Sequence, residues 1–564
     1  MYLRSTKRKN KNGTVTEYLQ LAHNERDSDT NTTVARIIHS FGRADQLDRD
    51  GLVRLARSIA RVCEITIVDP ADAGSRNTGL LPDDLEILRT VELGPVLVIE
   101  ALWERLGIGK QLRALLGKGK ASVAYDQALL AMTANRLCEP ESKLGVWDRW
   151  LERVYLPGCK ELKLRQMYDA MDFLHTHIAA VEEAVFFQTA NLFNLSVDLI
   201  FYDTTTASFA IDYEDEADEN GVGLRQYGHA KEGGWAPQIV VALAVTKEGL
   251  PVKSWVFPGN TADVSTIEQI RKDLRGWELG RALFVADSGM NSADNREELG
   301  RACGKYLLAT RMATVAEIKN EVLSQPGRYT TVRDNLQAKE VVIGDGERRR
   351  RYILCYNPKE AERQRIHRQE IVKMLEEELG RHKDRDASAQ WAIDLLASKR
   401  YKRYLAVTEA GNLRIDRAAI KEASRYDGKW VLETNDDTIS LEDAALGYKS
   451  LLIIERCFRT LKRTQIQMMP MYHWAPRRIE SHVKICVLAL LLERAAEIRC
   501  DETWARIRGS LAKLQATQFR GRQHSFFQIN EAGKECRDLF AKLEVPLPAR
   551  VFGIEPVENP GAIL

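Results

Sequence analysis

Three carboxylates are set apart by their surroundings: Asp203 in LIFYDTTTASF, Asp287 in ALFVADSGMNS and Glu455 in LLIIERCFR. Asp203 and Asp287 each end a short apolar run that stops at a polar cluster, which is a strand signal. Glu455 rises from an apolar helical stretch. A carboxylate beside buried residues is costly unless it is hydrogen-bonded, exposed at an edge or bound to a cation. Any one of the three has an ordinary explanation. Asp and Thr bond to nearby backbone at strand ends, and Glu455 stands four residues before Arg459, the spacing of a surface ion pair. Together they point to other chemistry. If the two strands lie side by side, both aspartates emerge at one edge of the sheet and repel unless a cation sits between them. Hard oxygen donors with open positions favour Mg²⁺ or Mn²⁺. At 3.6 residues per turn, Tyr448, Glu455 and Lys462 line one face of a helix over 442–462, with Arg459 bordering it.

The elements that must position these residues follow from the periodicity. Residues 199–209 read as a strand ending at Asp203, 236–246 and 251–260 as two strands joined by the tight turn KEGL, and 281–287 as a fourth. A helix from Thr261 separates the third from the fourth, and NREELGRAC is a helix leading to the strand KYLLATRM. Strands in hairpins followed by alternating strand and helix give a mixed sheet with helices on its faces. His229 and Lys231 fall in the loop QYGHAKEGGWAPQ between the first two strands.

The remainder divides by pattern. Residues 1–90 read as two strands around the loop NERDSDTN, then a helix, and 91–195 as a helical, Arg- and Lys-bearing DNA-binding region. The core runs over 196–312, an inserted subdomain over 313–445, core helices over 446–495, and a C-terminal helical region over 496–564. Net charge is only +2, but basic clusters recur at 5–13, 346–354, 397–405, 459–465 and 475–482. Spaced basic patches suit a protein that grips a polyanion with selected faces. Nine cysteines without CxxC or zinc spacing fit a reducing cytosol. The apolar run ICVLALLL is far too short to span a bilayer, so no membrane partner is expected.

The stretches around these carboxylates, with QIVVALAVTKEGLPVKSWVFPGNTAD and HWAPRRIESHVKICVLALLL, resemble a cut-and-paste DDE transposase of a bacterial insertion sequence, in the branch with a long insertion before the catalytic Glu. The resemblance is strong over about 200–495 and weaker before it. Separations of 84 and 168 residues between the acids leave room for that insertion. It implies an α/β ribonuclease-H-like mixed sheet with flanking helices, with Asp203, Asp287 and Glu455 holding two Mg²⁺ or Mn²⁺ ions. The implied activity is hydrolysis at the element ends, freeing a 3′-OH that attacks target DNA. A homodimer on double-stranded DNA and a location at the bacterial nucleoid in the cytoplasm are implied as well. Tyr448, Glu455 and Lys462 fit the family's Tyr-x-x-Arg-x-x-x-Glu and following Lys, whereas Leu451 takes the place of its Arg. Arg459, His229 and Lys231 are expected along the DNA. Trp430 is a candidate platform for a flipped base, although a core tryptophan is the more ordinary reading. A nuclease without strand transfer, and a non-catalytic DNA-binding descendant, are the alternative readings.

Overall fold

The computed structural model describes residues 2–9, 15–26, 33–62, 85–117, 121–195, 197–216, 223–277, 279, 282–301, 304–346, 349–381, 389–409 and 411–557. The chain forms two compact units, residues 1–86 and 87–564. In the first, β1 (Tyr2–Lys9), β2 (Val15–Arg26) and β3 (Thr33–Arg43) make an antiparallel sheet in that order, followed by the helix Arg49–Val62. The opening basic cluster therefore lies partly in a strand that the sequence pattern did not announce. Lys7, Arg8 and Lys9 are exposed on β1, and β1 is an edge strand, where charge discourages further pairing.

The second unit opens at β4 (Glu86–Glu92) and centres on a ten-stranded sheet. Its first half comprises β5 (Leu199–Ser208), β6 (Gln226–His229), β7 (Trp235–Val245), β8 (Pro251–Pro258), β9 (Leu283–Ala286) and β10 (Lys305–Thr310). β8 and β7 pair antiparallel, β7 and β5 antiparallel, and β5, β9 and β10 run parallel. This is the ribonuclease-H-like core. Beyond β10 the sheet continues through β11 (Thr330–Arg333), β12 (Leu336–Ile343), β13 (Arg350–Tyr356) and, after the two-stranded β14 (Leu405–Val407) and β15 (Leu413–Ile415), β16 (Lys429–Thr434). β16 lies between β13 and β10. The segment read as an inserted subdomain thus contributes four strands to the central sheet, and only 357–428 leaves it, as helices led by Pro358–Arg381 and the β14–β15 pair.

Two further readings are corrected. β5 does not end at Asp203 but continues to Ser208, its threonines paired with β7 through Thr205↔Val241. β9 stops at Ala286, opposite Tyr202, so Asp203 sits where β5 outruns its parallel neighbour. The C-terminal region is not mostly helical: β17 (Gln515–Arg520), β18 (His524–Ile529) and β19 (Val551–Pro556) join β4 in a four-stranded sheet.

The sheet separates two apolar clusters, and alternation along each strand decides which residue faces which. Ile200, Tyr202, Phe284 and Ala286 face the helix Ile267–Gly276. Phe201 and Val285 face the larger cluster, shared with the helices Ala121–Cys138, Leu164–Leu192 and Pro476–Cys500 and with Ile454, Cys457 and Phe458. The described cysteines are free and buried. No described helix is long and apolar enough to cross a membrane.

Candidate active site

The period-2 rule places the two aspartates. Asp203 shares a face with Phe201, and Asp287 with Val285, so both point to the side of the larger cluster. The register Tyr202↔Ala286 makes them next neighbours across the parallel pair, whose strands lie about 4.8 Å apart. That same face is covered by the helix Leu452–Arg459, which packs on β5 and β7 and carries Glu455 exposed in its first turn.

The single helix expected over 442–462 is in fact two. Leu441–Lys449 and Leu452–Arg459 are separated at Ser450 and Leu451, where the N–H groups of Leu451 and Ile454 bond three residues back instead of four. A wider π turn, Thr460–Thr464, follows. Leu451, Ile454, Phe458 and Leu461 are buried on the inner side. The break reconciles a buried Leu451 with an exposed Glu455 four residues on, and Tyr448 and Glu455 belong to different helices.

Tyr448 meets one of the three acids directly. Its hydroxyl donates to Asp287 Oδ1 at 3.0 Å. Burial, then Asp287, and more weakly Glu455 and Asp203, push the phenol well above its ordinary value. The Asp203 carboxyl is also raised, by burial first; Lys231 and the Thr204 N–H oppose this, and Asp263 and Asp287 add to it.

Lys231 follows the short strand β6. His229 ends β6 and pairs with Trp235, so it lies in a strand and not in a loop; its Nδ1 is 3.1 Å from the Ala230 carbonyl. Lys231 Nζ donates to the Thr204 carbonyl and hydroxyl at 2.6 and 2.7 Å. It stands 3.6 Å from Asp203 and 3.5 Å from Asp263. Asp263, in the PGNTAD stretch, also accepts from the Thr204 hydroxyl. Neither Asp263 nor Thr204 was singled out from the sequence; the one signal for Asp263 is its place in a stretch that resembles the family.

Lys462 is nearly buried. It donates to Thr205 Oγ1 at 3.3 Å and pairs with Glu232 at 2.8 Å, and Arg463 joins Glu232 at 3.0 Å. The two cations hold the Glu232 carboxyl below its ordinary value. Arg459 is exposed, and no ion pair with Glu455 forms among the described residues. Trp430 lies in β16 opposite Cys355, packs against the larger cluster, and is not gathered at the carboxylates.

The all-carboxylate donor set suits a hard divalent cation. As the side chains stand, no three described His, Cys, Asp or Glu residues are close enough to enclose an ion. The Lys231 ammonium supplies the positive charge between Asp203 and Asp263.

Other basic clusters differ in their pairing. Arg349, Arg350 and Arg351 are matched to Asp437, Glu317 and Glu340 at 2.7, 2.6 and 2.6 Å. Arg477 and Arg478 share Asp172 at 2.9 Å. Lys399, Arg400 and Lys402, on a short helix, make no ion pair among the described residues.

Residues 3–72 match the IS1634 family transposase, N-terminal domain, and residues 213–492 match the transposase DDE domain. Asp287, Tyr448, Glu455 and Lys462 lie inside the second match, and Asp203 lies just before it. No curated protein matches the sequence. Among solved structures, the cryo-EM structure of the piggyBac transposase synaptic complex with hairpin DNA is 10% identical, with 74% of this chain and 79% of that chain covered at a TM-score of 0.35. That likeness is too slight to bear on the fold.

Proposed function

Since the chain belongs to the DDE transposases of insertion sequences, we propose that Asp203, Asp287 and Glu455 are its catalytic carboxylates and hold two Mg²⁺ or Mn²⁺ ions. Bound there, the metal activates an attacking oxygen and steadies the leaving one. The substrate is double-stranded DNA at the ends of the element, cut to free a 3′-OH that then joins target DNA. The observation that carries the reading is the common face: strand alternation turns both aspartates toward the side covered by the helix of Glu455, and Tyr448 on the preceding helix bonds Asp287.

The remaining residues have supporting parts. The Tyr448 hydroxyl orients Asp287 through its 3.0 Å hydrogen bond. Lys231 neutralises Asp203 and Asp263 and stands where it would meet a phosphate. Lys462 and Arg463, held by Glu232, and the exposed Arg459 line the approach of the DNA backbone; His229, exposed at the end of β6, lies beside Lys231. Trp430, packed against the core, has no such part. Residues 1 to about 195, opening on the exposed cations of β1, recognise the element ends, and the core adds non-specific grip. Two ends must be cut together, so the working form on DNA is a homodimer, acting in the bacterial cytoplasm on nucleoid DNA.

The test is cleavage of linear DNA carrying the flanking inverted repeats, with Mg²⁺ against EDTA, followed by joining to a second duplex. Cutting and joining that both require the metal are the expected result. Cutting without joining would identify a nuclease, and binding without cutting a non-catalytic descendant.

A further inference from the structure

Thr204 stands where β5 has outrun its parallel neighbour. The last pair in register is Tyr202↔Ala286, and beyond it the backbone of β5 is met on that side by side chains. The Thr204 N–H donates to Asp203 Oδ1 at 2.7 Å, and its carbonyl accepts from the Lys231 ammonium at 2.6 Å. An acid and a base thus stand in for the missing strand, since backbone groups near a sheet interior must find partners.

Asp263 reaches the same place from the other face of the sheet. By strand alternation Thr204 shares a face with Tyr202, and Asp203 with Phe201. Tyr202 packs in the cluster of the helix Ile267–Gly276. Its hydroxyl lies 2.7 Å from that of Thr266, which donates to the Asp263 carbonyl at 2.7 Å. The Asp263 carboxylate accepts from the Thr204 hydroxyl. The helix of Glu455 covers the opposite face, packed on β5 and β7. The sheet therefore stands between Asp263 and Glu455, and Asp263 is not a fourth member of that donor set.

Lys231 spans the two faces at this open edge. Its backbone N–H donates to Thr206 Oγ1 at 2.9 Å. It opens a tight turn in which the Ala230 N–H meets the Gly234 carbonyl at 3.0 Å and the Gly233 N–H the Ala230 carbonyl at 2.8 Å. Gly233 and Gly234 take φ of +98° and +91° there, which a side chain would strain. The ammonium is hydrogen-bonded to Thr204 but only near the carboxylates, at 3.6 Å from Asp203 and 3.5 Å from Asp263. It is tethered between them and committed to neither. A cation so close to Asp203 opposes the arrival of a second one.

We propose that Lys231 is a built-in competitor of the divalent metal at Asp203, and that Asp263 is the positioning residue that holds the ammonium on Thr204 when Asp203 is given to the metal. The inference rests on the carboxylate reading above. With Asp263 present the ammonium has a counter-charge on the far face, so it leans away from Asp203 without leaving Thr204. Without Asp263, Asp203 is the one carboxylate left in a described ion pair with Lys231. A metal must then displace an ammonium that has no other anion to serve.

The experiment titrates Mn²⁺ into the full-length protein without DNA and follows the paramagnetic resonance of the free ion, a readout that does not depend on cleavage. Asp263→Asn keeps the shape and an oxygen for the Thr204 hydroxyl but removes the charge. It should weaken Mn²⁺ binding about tenfold, as the loss of a group supporting a metal ligand does. Adding Lys231→Met to that variant removes the competitor and should restore binding to within about twofold of the unmodified protein. A merely structural role for Asp263 would not be rescued in this way. Unchanged Mn²⁺ affinity in Asp263→Asn overturns the proposal, and so does a loss that Lys231→Met fails to restore, which would make Asp263 itself a ligand. Both outcomes leave the carboxylate reading in place. Mn²⁺ that binds the unmodified protein no better than Asp203→Asn overturns that reading, and the proposal with it.

Discussion

At the open side of β5, Asp203 and Asp263 share one lysine at 3.6 and 3.5 Å. In the helical layer of the same unit, Lys484 donates to Glu182 at 2.7 Å and both are nearly buried. Glu493, on the same helix as Lys484, is buried with one carboxylate oxygen lacking any partner. The residue types are the same but the solutions differ. Interior charges are either closed into short pairs or driven toward neutrality, because the surroundings cannot screen them. Acids at the sheet edge are loosely partnered and reachable, as the proposed binding of an outside ion requires. What distinguishes a functional carboxylate here is the looseness of its pairing.

The strongest way to break this contrast is to remove the edge acids. Asp203→Ala, Asp287→Ala and Glu455→Ala should each lower cleavage by more than about a hundredfold, beyond the cost of losing an outer partner of a metal ligand. DNA binding should stay within a few-fold, since affinity comes mainly from phosphate contacts. Tyr448→Phe, which takes one hydrogen bond from Asp287, should fall in the range of about 10–100-fold. Cleavage and gel-shift measurements on the same preparations separate the two effects. An alanine variant that cleaves normally would remove its residue from the site.

The next test lies on the boundary between edge and interior. Leu451 stands in the place of the family's Arg, but it is 9% exposed and belongs to the larger apolar cluster. Leu451→Arg should therefore destabilise the protein by roughly 2–4 kcal/mol through an unpaired charge and lost packing. It should not improve cleavage. A variant with unchanged melting temperature and faster cleavage would show that this position faces the DNA.

Much of this was legible in the sequence. The strands around Asp203 and Asp287, the KEGL hairpin and the Glu455 helix follow from period and turn chemistry acting over short range. The errors arose where tertiary pairing decided the outcome. The threonines after Asp203 read as a turn, yet β7 pairs with them and carries β5 on to Ser208. The Arg-rich stretch 346–354 reads as a surface patch, yet Glu317, Glu340 and Asp437 neutralise it from distant parts of the chain as β13 joins the sheet. Lys231 and Asp263 are 32 residues apart in sequence and meet only because β6 and the segment after β8 converge on Thr204. No local pattern encodes such a meeting.

Glu493 sharpens the contrast from the interior side. Burial, with Glu497 adding to it, raises its carboxyl from 4.5 to about 8. Below 4.5 both folded and unfolded chains keep the proton, and the group carries no penalty. Between 4.5 and about 8 the unfolded chain releases it while the folded one does not, so stability falls as pH rises and levels off above the folded value. Glu493→Gln should flatten that part of the profile and leave the protein more stable at its alkaline end. Denaturant midpoints at the two ends of the window measure this. An unchanged slope would mean that Glu493 is ionised in the fold.

The smallest effect is expected at Trp430, a half-buried tryptophan. Its indole lies against the larger cluster, and its Nε1 is buried without a hydrogen-bond partner. Trp430→Phe keeps a flat apolar ring and removes a donor that the fold leaves unmet. The gain from losing an unsatisfied N–H, about 1–3 kcal/mol, opposes the loss of packing from the smaller ring, which is of similar size. The melting temperature should therefore move little, and cleavage should stay within about twofold. If Trp430→Phe lowered cleavage tenfold with the fold intact, the indole would have to reach DNA from within the sheet. Trp430 would then belong with the residues that contact DNA.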